Sequence, residues 1–234
     1  MIYLTSAVVL IIVILSYSYF PSQYIKWKTL RDRPLEGVEK DIYLTFDDGP
    51  SEYTPKVLQV LRENGVKAAF FIVSDYVEKM PQIMEQIRDE GHLICIHSKS
   101  HQSLLFRGRK KTKEDMETAI EVMNRIGLQE KYYRPPWGHL NLFVLWYVKK
   151  MDLKLVMWHV MVGDWKAHIT VKQLEENILR ETGPGSIICL HDGRGAEGAP
   201  DKTIQVLKTA IPKLQRKGYA FCRLDSRYER ESFH

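Results

Sequence analysis

Residues 42–50 read Ile42-Tyr43-Leu44-Thr45-Phe46-Asp47-Asp48-Gly49-Pro50, an apolar run that ends in two carboxylates and a turn. The apolar part has the length and composition of a buried strand. Similar runs recur, with stretches of helical period between them, at residues 68–73, 93–96, 131–133, 153–160, 187–190 and 219–222. This alternation predicts a mostly parallel sheet of about seven strands, either closed into a barrel or open and doubly wound.

Signals for helix ends fall where this alternation requires them. Thr170 is followed three residues later by Gln173, which is the pattern of a capping box. Several helical stretches end in a glycine directly before an apolar run, where a left-handed residue is expected, at Gly65, Gly91, Gly127 and Gly218.

The composition indicates one well-packed domain with a short appendage, because 234 residues with 44% hydrophobic content are too few for two full domains. The net charge of +5 is spread along the chain, which suits an anionic surface such as a cell wall or phospholipid and predicts no nucleic-acid partner. The sequence does not determine the oligomeric state. Three cysteines without paired spacing, Cys95, Cys189 and Cys222, are expected to be buried thiols.

Residues 1–21 are predicted to be a transmembrane anchor or an uncleaved signal. The segment has no charged residue through Phe20, and about 20 apolar residues can cross a bilayer as a helix. It lacks the basic start and small-x-small site of a cleaved signal peptide. A juxtamembrane linker at 22–39, a catalytic domain at 40–227 and a tail at 228–234 complete the predicted organisation. The orientation of this segment in the membrane stays open. The positive-inside rule would place the side that follows the segment in the cytoplasm, because four basic residues lie there, Lys26, Lys28, Arg31 and Arg33.

Ionisable side chains follow several predicted strands directly. Asp47 and Asp48 follow residues 42–46, and the others are His97, Asp164 and His191. Because the carboxyl ends of parallel strands lie on one side of such a fold, we expect these side chains to gather in one cleft.

A divalent metal ion is one expected occupant of that cleft. His97 and His101, with a carboxylate from another segment, would leave one position open for water. The alternative is a pair of ordinary loop histidines. Asp47 and Asp48 would repel each other without a nearby cation, and they point in different directions if the backbone is extended, so one could be a ligand and the other a base. A plain surface turn is the alternative for these residues.

The segment Arg134-Pro135-Pro136-Trp137-Gly138 is rigid, because two prolines fix the backbone beside a guanidinium and an indole. Either it forms a structural corner, or Arg134 holds a carboxylate by forked hydrogen bonds while Trp137 forms a wall for a sugar face.

Five ordered segments together resemble the motifs of the polysaccharide deacetylase family, also called the NodB-homology domain or carbohydrate esterase family 4. The resemblance spans about residues 40–225. The segments are Thr45-Phe46-Asp47-Asp48-Gly49-Pro50, His97-Ser98-Lys99-Ser100-His101, Arg134-Pro135-Pro136-Trp137-Gly138, Asp164-Trp165 and Leu190-His191.

The resemblance implies a distorted (β/α) barrel, preceded here by the transmembrane helix, and a role for each motif residue. Asp48, His97 and His101 would bind one divalent metal ion, usually zinc. Asp47 would be the general base and His191 the general acid, with Arg134 orienting Asp47 and Asp164 pairing with His191. The residues expected to contact substrate are Pro136, Trp137, Trp165 and Leu190, the last two around the acetyl methyl group.

The implied function is hydrolysis of N-acetyl groups from amino sugars of a polysaccharide, either peptidoglycan or a chitin-like oligomer, by a membrane-anchored enzyme with an extracytoplasmic domain. Two alternatives remain at this point. The same site could act on a non-glycan amide or an O-acetyl ester, or the chain could be a tethered glycan-binding module without turnover.

Overall fold

One parallel sheet organises the catalytic part of the chain. The structure is a computed structural model that describes residues 2–32, 40–129 and 131–231. Within these ranges the strands are β1 (Asp41–Asp47), β2 (Ala69–Val73), β3 (Leu93–Ser98), β4 (Tyr132–Tyr133), β5 (Lys154–Leu155), β6 (Val160–Met161), β7 (Ile187–His191) and β8 (Ala220–Phe221). Every pairing among them is parallel.

The sheet curls so that its two ends approach each other. The strand order is β5-β4-β3-β2-β1-β7-β6, and β8 pairs with the first residues of β1. A flat sheet of seven strands would hold its outer strands about 29 Å apart, at about 4.8 Å per spacing. Only residues 156–159 connect β5 to β6, and the five Cα steps involved span at most about 18 Å. This confirms the distorted barrel and excludes the open doubly wound sheet.

The segment predicted as one strand at 153–160 is two short strands, so that prediction is corrected. Its pairing changes along the segment, because the Val156 amide donates to the Tyr133 carbonyl whereas the His159 amide donates to the Ile187 carbonyl. The chain therefore leaves one end of the sheet and joins the other between these residues.

Helices cover the outside of the sheet. Within the catalytic part they are α3 (Thr54–Glu63), α4 (Pro81–Asp89), α5 (Arg109–Arg125), α6 (Leu142–Lys150), α7 (Val171–Glu181), α8 (Ala199–Arg216) and α9 (Asp225–Glu231), the last of which crosses the domain boundary predicted at 227. The capping box of α7 is present, with the Gln173 amide donating to the Thr170 hydroxyl at 3.2 Å. The four glycines expected to be left-handed have φ between 65° and 84°.

The N-terminal segment is a long helix made of α1 (Ile2–Ile14), a π-helical turn (Leu15–Tyr19) and α2 (Phe20–Arg31). It is long and apolar enough to cross a membrane. Helical structure thus continues into the predicted linker, whose residues 33–39 lie outside the described ranges.

The second half of this helix packs against the catalytic part. The Ser22 hydroxyl donates to the Leu140 carbonyl at 2.8 Å and accepts from the Leu140 amide at 3.1 Å. The Tyr17 hydroxyl donates to the Arg107 carbonyl. Large apolar side chains on the other faces are exposed, at Val8–Ile14 and at Tyr19, Phe20, Tyr24, Trp27 and Leu30.

Candidate active site

A cleft of about 370 Å³ opens at the carboxyl ends of the strands. It contains the side chains that the sequence placed after β1, β3 and β7, together with residues from the loops and from α2. Its lining residues are Lys26, Asp47, Asp48, His97, His101, Trp137, Trp158, Met161, Trp165, His191, Arg194 and Gly195. The predicted convergence is confirmed for Asp47, Asp48, His97 and His191, whereas Asp164 is fully buried and contacts His191 without lining the cleft.

The expected metal ligands form a compact buried group. Oδ1 of Asp48 lies 3.3 Å from Nε2 of His97 and 2.8 Å from Nε2 of His101. Ligand atoms of all three residues lie within 4.8 Å of one another. Two imidazole nitrogens and a carboxylate oxygen are a donor set that suits a divalent ion such as zinc.

Hydrogen bonding prepares this group for a cation. Nδ1 of His97 donates to the Arg134 carbonyl at 2.8 Å, since a carbonyl can only accept, and Nε2 of His97 is the ring nitrogen that faces the Asp48 carboxylate. The same outer hydrogen bond orients ligand histidines in metal sites. Burial tends to raise the pKa of Asp48, but the hydrogen bonds from His101 and His97 hold that pKa far below its usual range, so the carboxylate is charged.

Several cleft residues have left-handed backbone. Asp48 has φ 76°, His101 has φ 55°, Trp137 has φ 55° and Arg194 has φ 42°. Residues with a Cβ rarely adopt this conformation, and such strain concentrates at functional sites. The His101 amide donates to the Ser98 hydroxyl at 2.7 Å, which helps to fix the turn between the two histidines.

Asp47 lies outside the metal-ligand group and pairs with Arg134. Nη1 of Arg134 donates to Oδ1 of Asp47 at 2.6 Å and to the Thr45 hydroxyl at 2.9 Å. The same guanidinium donates to the carbonyls of Val156 and Met157 at 3.1 Å and 3.2 Å. Arg134 therefore fixes the carboxylate and also satisfies the backbone where the two ends of the sheet meet.

Asp164 orients His191. Oδ1 of Asp164 accepts from Nδ1 of His191 at 2.9 Å, while Oδ2 accepts from the His191 amide at 2.7 Å and the Thr203 hydroxyl at 3.0 Å. Burial tends to lower the pKa of His191, but the charge and hydrogen bond of Asp164 outweigh it and raise that pKa to about 9. His191 is thus protonated at neutral pH, with Nε2 left as the free donor.

The expected substrate-contact residues divide into two groups. Trp137 and Trp165 line the cleft, with the Trp137 ring edge-on to His101 and the Trp165 ring edge-on to His191. Pro136 is buried behind the cleft surface. The Leu190 side chain packs with Leu44 and helices α7 and α8, on the face of β7 away from the cleft.

The position of Leu190 follows from strand geometry, because successive side chains point to opposite faces of a sheet. Since His191 faces the cleft, the Leu190 side chain points the opposite way, and the fully buried Cys189 points to the same side of β7 as His191. The Cys189 thiol lies 3.4 Å from Oδ2 of Asp47. Burial, reinforced by the Asp47 charge, raises the pKa of Cys189 well above its usual range, so the thiol is a neutral donor. We therefore withdraw Leu190 as a substrate contact.

One supporting residue was not foreseen from the sequence. Asp192 is fully buried and accepts from the Thr54 hydroxyl at 2.5 Å, and its carbonyl accepts from the Ser51 hydroxyl. A Cβ added at Gly49 would lie 2.6 Å from Oδ2 of Asp192. The Asp192 carboxyl group therefore packs directly against the turn after Asp48, and only glycine fits at position 49. Burial raises the pKa of Asp192 to about 7.

Known proteins share both the sequence and the fold. A sequence profile described as polysaccharide deacetylase matches residues 35–156. A Bacillus cereus peptidoglycan-N-acetylglucosamine deacetylase is 33% identical over 92% of this chain and 84% of its own length. A Bacillus subtilis peptidoglycan-N-acetylmuramic acid deacetylase is 33% identical over 80% of this chain and 71% of its own.

A crystal structure of a peptidoglycan N-acetylglucosamine deacetylase superimposes with a TM-score of 0.77 at 32% identity, covering 83% of this chain and 89% of that one. Sequence and fold therefore agree with the motifs gathered in the cleft, and the chain belongs to the polysaccharide deacetylase family.

Proposed function

We propose that this protein hydrolyses N-acetyl groups of amino-sugar residues in peptidoglycan and releases acetate. The observation that carries the proposal is the division of labour between adjacent carboxylates. Asp48 lies against two histidines, whereas Asp47 is held by Arg134 beside the strand that carries His191. A hydrolase needs a base and an acid as well as an ion, whereas a binding module needs no such set.

Asp48, His97 and His101 would hold the divalent ion, which we propose to be zinc. When bound, the ion would polarise the acetamide carbonyl and lower the pKa of a water molecule. The residues fit this role because all three are buried and their ligand atoms converge.

The chain itself supplies the proton transfers. Asp47, fixed by Arg134, would take a proton from the attacking water. Asp47 and His191 are Cα partners on neighbouring strands β1 and β7, so base and acid occupy the same level of the cleft. His191 would donate its Nε2 proton to the departing amine, while Asp164 keeps the imidazole ring in place through Nδ1. Loss of acetate leaves a free amino sugar.

The proposed substrate is a polymer. The relatives are named for peptidoglycan sugars, and Trp137 offers a half-exposed ring at the edge of the cleft, where a sugar face can stack. Pro136 would shape the turn that presents this ring.

We also propose that the N-terminal helix anchors the protein in a membrane with the catalytic part outside the cytoplasm, where peptidoglycan lies. Anchoring would place the exposed side chains of Tyr24, Trp27 and Leu30 at the membrane interface. Protease accessibility in intact cells tests this arrangement.

Acetate release from two glycans and two non-glycan compounds tests the activity. These are peptidoglycan fragments, a chitooligosaccharide and a non-glycan pair made of a simple acetamide and an O-acetyl ester. We expect release from the glycans, its loss on chelation and its return with added zinc. Release from the non-glycan pair alone would favour the amide or ester alternative, and glycan binding without release would favour the binding module.

A further inference from the structure

The second half of the N-terminal helix forms part of the catalytic cleft. Ser18 and Ser22 are buried, and Lys26 follows at the same spacing of four residues, so the three share one face of the helix. The reciprocal hydrogen bonds between Ser22 and Leu140 fix this face against the catalytic part. One helical turn later, Lys26 is among the residues that line the cleft.

Gly138 makes room for the Lys26 side chain. Gly138 has φ 63°, and a Cβ there would lie 2.7 Å from the Trp158 ring, 2.8 Å from Cε of Met157 and 2.9 Å from Cε of Lys26. The aliphatic stem of Lys26 thus packs over a position where no side chain fits. Its ammonium group makes a long hydrogen bond of 3.5 Å to the Trp137 carbonyl, next to the ring that we propose for sugar stacking.

The charges of the cleft leave Lys26 without a carboxylate. Asp47 is paired with Arg134, and Asp48 with His97 and His101. Within the described residues, no carboxylate forms an ion pair with Lys26 or with Arg194, a second cation in the cleft lining, whose guanidinium makes a weak contact of 3.4 Å with the Tyr76 hydroxyl. Two cations therefore face the substrate space.

We propose that Lys26, assisted by Arg194, binds a carboxylate carried by the glycan on the reacting sugar or its neighbour. The enzyme would thus prefer glycans whose muramic acid residues have a free lactyl carboxylate, without an attached peptide, over neutral N-acetylglucosamine oligomers. This inference rests on the proposed deacetylation and adds to it the class of glycan. An ammonium group in a partly enclosed cleft gains more from a carboxylate than from a neutral hydroxyl, because the hydrogen bond is charge-assisted.

The test compares Lys26→Met with Lys28→Met in the full-length protein. Methionine keeps the apolar stem over Gly138 and removes the charge. Lys28 lies on the same helix with an exposed side chain, so its replacement changes the net charge equally. The substrates are muramic-acid-containing oligosaccharides with free carboxylates, the same oligosaccharides as methyl esters, and a chitooligosaccharide.

We expect Lys26→Met to raise KM for the free carboxylate form by about tenfold or more, the usual effect of losing a hydrogen bond to a charged group. Kinetics with the ester and the chitooligosaccharide should stay within about twofold of the wild type, as should all substrates with Lys28→Met. Lys26→Arg should restore the preference. Equal effects of Lys26→Met on the acid and the ester, or no effect on either, would overturn the inference.

Failure of the proposed function has a different signature. In that case the wild-type protein would release acetate from none of the glycans. Calorimetric binding of the free acid and the ester then still tests Lys26, because the wild-type preference for the acid should disappear in Lys26→Met and persist in Lys28→Met. Equal wild-type affinity for acid and ester would contradict the inference without reference to turnover.

Discussion

Nη1 of Arg134 lies 2.6 Å from Oδ1 of Asp47, and these side chains are 0% and 5% exposed. Arg134 also links Asp47, the proposed base, to the segment between β5 and β6, where the two ends of the sheet meet. The same guanidinium donates hydrogen bonds to the carbonyls of Val156 and Met157 in that segment. Breaking a buried ion pair is costly because the remaining charge stays buried without a partner.

Arg134→Met should therefore lower the free energy of unfolding by about 3–5 kcal/mol, measured by urea denaturation. Arg134→Lys should fall between the wild type and Arg134→Met, because an ammonium group keeps the charge but lacks the planar fork that reaches four acceptors. Wild-type stability of Arg134→Met would contradict the assignment of this contact.

Asp164→Asn should shift the pH dependence of catalysis. The pKa of His191 is raised to about 9 by Asp164 against the effect of burial. The protonated acid is therefore present below that pH and lost as pH rises through it. Without the carboxylate, burial lowers the pKa, so the falling limb of the kcat/KM profile should move to lower pH. An unmoved limb would exclude His191 as the acid.

Trp137→Ala should weaken substrate binding more than turnover. The Trp137 ring is 50% exposed at the cleft, so its removal takes away a stacking surface with little loss of core packing. We expect KM for a glycan oligomer to rise by about 3- to 10-fold. Trp146, 44% exposed and outside the cleft lining, supplies the control, and Trp146→Ala should leave KM unchanged. Equal effects of the two variants would contradict a role in stacking.

Gly49→Ala should destabilise the turn that follows Asp48. The added Cβ would lie 2.6 Å from Oδ2 of the buried Asp192, and such overpacking costs about 1–3 kcal/mol. Gly108 is the N-cap residue of α5, and no atom lies within 4 Å of a Cβ added there. Gly108→Ala should therefore lower the free energy of unfolding by less than about 1 kcal/mol. Thermal unfolding of both variants measures the difference, and a stable Gly49→Ala protein would show that Asp192 does not confine the turn.

The residues at the carboxyl edge of the sheet could be predicted from the sequence, because they stand at the ends of the apolar runs that form the strands. Asp47 and His191 each end an apolar run, and in the structure they are Cα partners on neighbouring strands. The same reasoning could have excluded Leu190, since alternation along a strand puts residues 190 and 191 on opposite faces. The resemblance to a motif does not take this alternation into account.

Other parts of the cleft depend on contacts that no local pattern encodes. Lys26 reaches the cleft through the bond between Ser22 and Leu140, which are 118 residues apart, so the sequence showed only a basic residue after an apolar helix. The left-handed backbone at Asp48 and His101 is similar, because few residues other than glycine adopt it, although aspartate and histidine do so more often than most. Tertiary contacts impose both features.

The central claim is that Asp47 is the base and Asp48 a metal ligand, and Asp47→Asn tests it most directly. The measurement is acetate release from a peptidoglycan fragment, made alongside metal content. The variant should keep the wild-type metal stoichiometry and lose activity by a factor of about 100 or more, the usual contribution of a general base. Undiminished acetate release would contradict the claim, and so would loss of the metal together with the activity.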